Sequence, residues 1–429
     1  MNSAQIKLGE VFSEKRGGDW GKAQPNNEYS EAVYCIRGAD IENINSKYLD
    51  SLPVRYVKQS IVTSKSLTAK SIVIEISGGS PTQSTGRVAR VDEEVISMLK
   101  YPVICTNFCR ALLVKDEHNP EYIYYWLKNL YRNKVFFNFE GKTTGIKNLD
   151  LDAFLNSVEI NLPANEVQDS VSKFIASIDR KISLNSNINA ELQQMARLIY
   201  NYWFIQFDFP DFQGKPYKSS DGAMIYNEQL KREFPMQWGV SRLHEIEDRI
   251  ITGKTPSTSN RDYYNGNVPF ISIDDIRGNL FVVKTKKNLS ESGAISQSTK
   301  FLPEGSICVT CIASPGIVGF VSRKSQTNQQ INSIDCRNSE NKYYLYFAIK
   351  DYFEYSAGAK SGNTFANMNK GDLESILIVN PDPELVAKYH DIVNPLFGKI
   401  HTNLKMNQEL TELRDWLLPM LMHGQVKVG

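Results

Sequence analysis

The 429-residue chain has no stretch of about 18 uncharged apolar residues, so the sequence offers no membrane-spanning helix. Its opening, MNSAQIKLGEVFSEKR, lacks the apolar centre of an export signal, and a cytoplasmic protein is expected. Cysteine is sparse. Cys35, Cys105, Cys109, Cys308, Cys311 and Cys336 are scattered through the chain, so disulfides are not expected. Cys308 and Cys311 do form a C-x-x-C. They lie in the apolar run SICVTCIAS with no second pair at zinc-ligand spacing, so buried thiols are the plainer reading and no metal site is expected. The histidines (His118, His244, His390, His401 and His423) are dispersed, and each reads better as a surface or packing residue than as a base. With 49 basic and 48 acidic residues the net charge is +1, which excludes a histone-like coat but not a local basic cleft.

Catalytic signatures are missing as well. A GKT occurs at Gly253–Thr255, but the glycine a phosphate-cradling loop needs five residues earlier is Asp248. VNPD and VNPL lack the second proline and the aromatic residue of the tetrapeptide used by amino-methyltransferases. No H-E-x-x-H, G-x-S-x-G or clustered acidic nuclease pattern stands out.

What is present is a duplication. Apolar content of 41% and charged content of 23% are ordinary, and the length predicts two domains. The segment from Pro163, PANEVQDSVSKFIASIDRKISLNSNINAEL, aligns without gaps to that from Pro381, PDPELVAKYHDIVNPLFGKIHTNLKMNQEL, at an offset of 381 − 163 = 218. Both read as long helices with apolar positions at alternating steps of four and three. The first seam runs Val171, Ile175, Ile178, Ile182, Asn185, Asn189, Leu192, Ala196 and Ile199. The second runs Tyr389, Val393, Leu396, Ile400, Asn403, Asn407, Leu410, Arg414 and Leu417, with Pro395 predicting a kink or a late start. Two unrelated surface helices would have little use for an asparagine pair inside each seam. Such amides are costly unless they meet partners, and they fix register when they do. Pairing of the two helices is therefore expected, with Ile175, Ile178, Ile182, Asn185, Asn189 and Leu192 against Leu396, Ile400, Asn403, Asn407 and Leu410.

The segments before each helix correspond more loosely. YCIRGADI matches PFISIDDI in carrying an Asp-Ile pair after an apolar strand, and β-rich runs flank Gly/Ser loops in both. Each unit is thus mixed α and β, with a long helix leaving it. Between the repeats lies an aromatic, Pro- and Gly-rich linker, whose Tyr202, Trp203, Phe204 and Phe207 are expected to pack on the helix base.

The linker segment FIQFDFPDFQGKPYKSSDGAMIYNEQLKREFPMQW (Phe204–Trp238) is similar to the central region of type I restriction–modification specificity subunits. The duplication, the proline-led helices and the TGKTPS loop followed by ISIDDI extend the resemblance over the whole chain. One departure is Asp221, where the family commonly has glycine; no harm is expected from it. The resemblance implies an α+β fold of two similar target recognition domains joined by two long antiparallel helices in a pseudo-twofold coiled coil. The domains would be residues 1–160 and 237–380, the spacer helices 161–203 and 381–425, and the linker 204–236.

It also implies a non-catalytic protein that binds duplex DNA with a bipartite target, each domain reading one half. The helices would set the gap and dock two methyltransferase subunits, and ATP-dependent restriction subunits would join for cleavage. No cofactor is expected on this chain. S-adenosylmethionine, ATP and Mg would serve the partners.

Recognition of this kind needs basic side chains for phosphates, and amides, hydroxyls or Arg for base edges. In the first domain the polar loops offer Arg37, Ser84, Thr85, Arg87, Arg90, Lys142, Thr143, Thr144 and Lys147. The second offers Lys254, Thr255, Ser257, Arg277, Arg323, Lys324, Lys360, Ser361, Asn363 and Thr364. Any one of these could be only a solvated loop residue, so the loops as groups carry the expectation. The competing readings are a coiled-coil scaffold that binds proteins instead of DNA, and a stand-alone DNA methyltransferase or nuclease. Salt-dependent binding to duplex DNA separates the first of these, and methyl transfer by the lone chain the second.

Overall fold

A computed structural model describes residues 4–78, 83–142, 146–336, 339–359 and 367–428. The chain divides into two compact units, Met1–Ser183 with Leu410–Gly429, and Leu184–Glu409. Both dividing points fall inside long helices. The C-terminal stretch of the second helix thus belongs with the first unit, and residues 184–200 of the first helix with the second.

The first unit is built on a four-stranded sheet in the order Phe12–Gly17, Cys109–Val114, Ser71–Glu75, Val88–Val91, with antiparallel neighbours. A three-stranded sheet places Glu31–Ile36 between Val54–Val57 (antiparallel) and Val103–Cys105 (parallel). Ala4–Lys7 pairs with Glu159–Leu162 just before the helix leaves. The helix Pro120–Arg132 starts cleanly because Asn119 accepts from the Glu121 and Tyr122 amides while Pro120 supplies a preset φ. It buries Tyr122, Ile123, Trp126 and Leu127 in the same core as Ile72, Ile74 and Leu112.

The second unit repeats this plan. Its larger sheet runs Ile250–Thr252, Ile331–Ile334, Ile307–Thr310, Val318–Val321, with Phe281–Val282 added at the edge. Its three-stranded sheet again sets a central strand, Tyr264–Ile271, between an antiparallel neighbour, Lys287–Leu289, and a parallel one, Gln326–Thr327. Gly239–Arg242 pairs with Leu377–Asn380, and a helix, Lys342–Ala359, covers the sheet. The Asp-Ile pair has the same task in both units. Asp40 and Asp275 are buried, and each caps the turn that follows the central strand by accepting from the amide three residues earlier, of Arg37 and of Ser272.

The first long helix spans Asn165–Tyr200 and passes into a single π-turn at Asn201–Ile205. The second spans Pro383–Met422. Of the kink or late start expected from Pro395, the late start does not occur. Pro395 lies on the exposed side, while Tyr389, Val393 and Phe397 on the other face are fully buried and hold the turns on both sides of it. In the linker, Trp203, Phe204 and Phe207 are buried, but Tyr202 points outward, 41% exposed. Asp221 adopts φ +64°, a left-handed conformation that favours glycine and that Asp tolerates better than most residues. This accounts for the departure at that position.

Candidate nucleic-acid interface

The sequence-predicted residues separate into two groups once their partners are known. In the first unit most are committed internally. Ser84 and Thr85 are buried, and both hydroxyls donate to the Glu140 carboxylate, at 2.8 and 2.9 Å. Burial works against charge on Glu140. The Thr85 amide, the two hydroxyls and Lys147 outweigh it and hold the carboxyl below its usual range. Arg87 forms a two-pronged pair with Glu75 (2.8 and 2.7 Å), and Arg37 does so with Asp40 (2.8 Å to each oxygen). Arg90 lies 3.1 Å from Asp92 and 3.2 Å from Glu121.

These residues brace loops in the first unit, and the hydroxyls of Ser84 and Thr85 are not available at a surface. For Ser84, Thr85 and Arg87 the sequence held no sign of this, because the acids that claim them lie 12 to 56 residues away, whereas Asp40 and Asp92 stand only three and two residues from Arg37 and Arg90. Lys142 ends the strand Glu140–Lys142, whereas Thr143 and Thr144 lie outside the described residues.

The second unit leaves its cations open. Lys254, Arg277, Arg323 and Lys324 are exposed and, among the described residues, none forms a carboxylate pair. Arg277 donates to the Ser314 hydroxyl at 3.2 Å, and the Lys324 ammonium sits 4.2 Å above the Phe301 ring. The loop after Ile250–Thr252 is fastened by its backbone. Gly253 N donates to Ile331 O (3.0 Å) and Lys254 N to Thr327 O (3.0 Å). A Cβ on Gly253 would fall 2.1 Å from the Asn328 carbonyl, so only glycine allows this approach.

The loop thereby presents Lys254, Thr255 and Ser257 beside Gln329, an exposed amide bonded to the Thr255 hydroxyl and absent from the sequence-based set. A cation, hydroxyls and an amide held on a fixed backbone suit phosphate contact and base-edge reading. Lys360, Ser361, Asn363 and Thr364 lie outside the described residues.

The helix pairing is read in each unit separately. In the second unit, Asn185 donates to Asn407 (2.8 Å) and Asn403 to Asn189 (2.9 Å). Under the offset of 218, Asn403 is the repeat of Asn185 and Asn407 that of Asn189, so each asparagine meets the repeat of the other. Such reciprocity belongs to antiparallel elements related by a local twofold. Ile400 is buried beside them. Leu192 and Leu396 are half-buried, and Phe397, not Leu396, fills the core at that turn.

In the first unit, Ile175 and Ile178 are buried and Ile182 half-buried. Arg414 donates to Asp179 at 2.7 Å, and Leu410 is half-buried. The C-x-x-C thiols, Cys308 and Cys311, are buried, and burial raises both, Cys308 to about 12, so neither is a reactive thiolate.

Comparison with known proteins agrees with this architecture. The family model described as "Type I restriction modification DNA specificity domain" matches residues 2–194 and 235–412. The chain is 29% identical to the type I restriction enzyme HindI specificity subunit of Haemophilus influenzae, over 93% of this chain and 95% of that one. It is 24% identical to the MjaIX specificity subunit of Methanocaldococcus jannaschii, over 98% and 95%. The crystal structure of the type I restriction–modification S subunit from M. genitalium superimposes with a TM-score of 0.59 at 15% identity, covering 98% of this chain and 96% of that one.

Proposed function

From the premise that the chain belongs to the type I restriction modification DNA specificity family, we propose that it selects a bipartite DNA target for partner subunits, which supply the methyl transfer and the cleavage. One observation carries this reading: two units with the same strand order in both main sheets display different loops. A duplicated frame with divergent loops is what two readers of two different half-sites require, since loops can vary where the scaffold cannot. A protein-binding scaffold would not need a fixed loop that holds Lys254 exposed together with the Thr255 hydroxyl and the Gln329 amide.

A second repeated feature supports docking of the methyltransferase. On the last turns of the first long helix and the π-turn that follows it, Met195, Leu198 and Tyr202 are 49%, 58% and 41% exposed, at spacings of three and four. Their repeats at +218 are Leu413, Trp416 and Met420, with Leu413 and Trp416 43% and 59% exposed. Each unit thus carries one copy of an apolar helical stripe, which fits two copies of one partner, each bringing an apolar helix. Restriction subunits then complete the assembly.

The test is co-expression with the methyltransferase subunit, followed by mapping of methylated adenines across the host genome. A single split motif is expected. An unsplit motif, or methylation by the lone chain, contradicts the proposal.

A further inference from the structure

The two units differ in the loop that leads into the central strand of the three-stranded sheet. In the second unit this is the Lys254–Asn260 loop described above. Its counterpart in the first unit, residues 18–30, contributed nothing to the sequence-based set, yet it is built with equal care. The Asp19 carboxylate accepts from Gly21 N (2.9 Å). Lys22 and Tyr56 exchange both backbone bonds, at 2.8 and 3.0 Å. Asn26 accepts from the amides of Glu28 and Tyr29 (3.0 and 2.8 Å). Gly21 sits at φ +59°, and a Cβ there would lie 2.4 Å from the Tyr56 carbonyl, so the turn demands glycine.

This rigid loop holds a ladder of cations on aromatic faces. The Arg55 guanidinium stacks 4.2 Å from the Trp20 ring and donates through Nε to the Trp20 carbonyl at 3.0 Å. The ammonium groups of Lys22 and Lys58 both lie over Tyr29, at 5.5 and 5.3 Å. Lys58 also pairs with Glu28, whereas among the described residues no carboxylate pairs with Lys22 or Arg55. Trp20 is 37% exposed and Lys22 is exposed. This fixed loop keeps a tryptophan in water and leaves two cations without acids, while Arg55 also bonds the Trp20 and Gly21 carbonyls, at 3.0 and 3.5 Å. It preorganises positive charge, because a guanidinium stacked on an indole has few rotamers left to lose when it meets an anion. No cation–aromatic pair occurs in the matching loop of the second unit among the described residues.

We infer that Trp20, Lys22 and Arg55, backed by Tyr29 and Lys58, form a phosphate-contacting site through which the first unit grips the backbone of duplex DNA. The inference rests on the DNA-reading function proposed above and assigns that unit its backbone contact, in place of the internally paired arginines. The test uses the complex of this chain with its methyltransferase subunit and a duplex of mixed sequence, with affinity measured by fluorescence anisotropy over a salt series. Arg55→Gln and Lys22→Gln should each reduce the slope of log affinity against log salt by about 1. Trp20→Ala should weaken binding several-fold. Lys7→Gln, an exposed charge change elsewhere in the same unit, should leave the slope unchanged. Thermal melting of each variant close to wild type would exclude a folding defect. If wild type binds with a salt-dependent affinity and Arg55→Gln and Lys22→Gln behave like Lys7→Gln, this site is wrong and the DNA-reading function stands. Absence of salt-dependent binding by wild type would overturn both.

Discussion

In the first unit the helix pairing includes a polar joint beside its apolar contacts. Arg414 reaches Asp179 and Asp415, Tyr125 donates to Asp179 at 3.0 Å, and Lys128 and Arg132 bring further charge to the same carboxylates. Shifting Asp179 and Arg414 by the repeat offset gives Phe397 and Ala196 in the second unit, both fully buried. Around Phe397 stand Tyr343, Tyr346, Phe347 and Phe320, with ring centroids 4.2 to 6.2 Å away, and the Tyr389 hydroxyl donates to the Ala196 carbonyl. One ancestral pairing has thus become a charged joint on one side and an aromatic joint on the other. Each seals its helices, but by terms that respond differently to substitution and to pH.

The largest difference should come from the aromatic joint. Phe397→Ala opens a cavity in a closed core and should cost about 3–5 kcal/mol, read from urea unfolding of the full chain. A cost near that of a surface change would show that the aromatic cluster is not cooperative. In the charged joint, Asp179→Ala leaves Arg414 and Lys128 short of an acceptor and should cost about 2–4 kcal/mol. The double variant Asp179→Leu with Arg414→Met should recover the share of that loss due to Arg414, since apolar pairs of similar volume often replace partly buried ion pairs without penalty, while Lys128 and Tyr125 still lack Asp179. Failure to recover would mean that the charges are needed for more than pairing.

Also in the second unit, Asn403→Leu strands Asn189 and should cost about 1–3 kcal/mol. The smallest effect concerns pH. His390 and His401 on the second long helix stack on Tyr343 and Phe281, and burial lowers both imidazoles. The unfolded chain then binds protons that the fold does not, so stability is full above the ordinary histidine pKa and falls as pH drops through it. Melting temperature should decline between neutral pH and about pH 5.5, and the decline should shrink in the double variant His390→Gln with His401→Gln. His118 in the first unit shares the direction and should leave a residual slope.

Much of this organisation was readable in the sequence because it is periodic or repeated. The offset of 218 exposed the duplication, and the asparagine pairs announced the reciprocal lock. The Asp-Ile pairs marked the same turn in both units. Less readable was whatever depends on partners distant in the chain. Nothing local to Ser84 or Arg87 reveals that Glu140 and Glu75 claim them. The Trp20–Arg55 stack joins residues 35 apart, and a tryptophan in a polar loop gives no hint of its partner. Leu396 and Phe397 are adjacent and both apolar, so the seam position depended on the local winding of a helix that carries a proline. Tyr202 failed for a related reason: at the start of the π-turn Asn201–Ile205 it lies exposed while its neighbours Trp203 and Phe204 are buried.

The central claim is that each unit reads its own half of the target. Replacing residues 1–160 with those of another family member, in the complex with the methyltransferase, and mapping methylated adenines tests it most directly. One half of the motif should change while the other half and the intervening gap stay as they were. A change in both halves, or in neither, would contradict the assignment of one reader to each half.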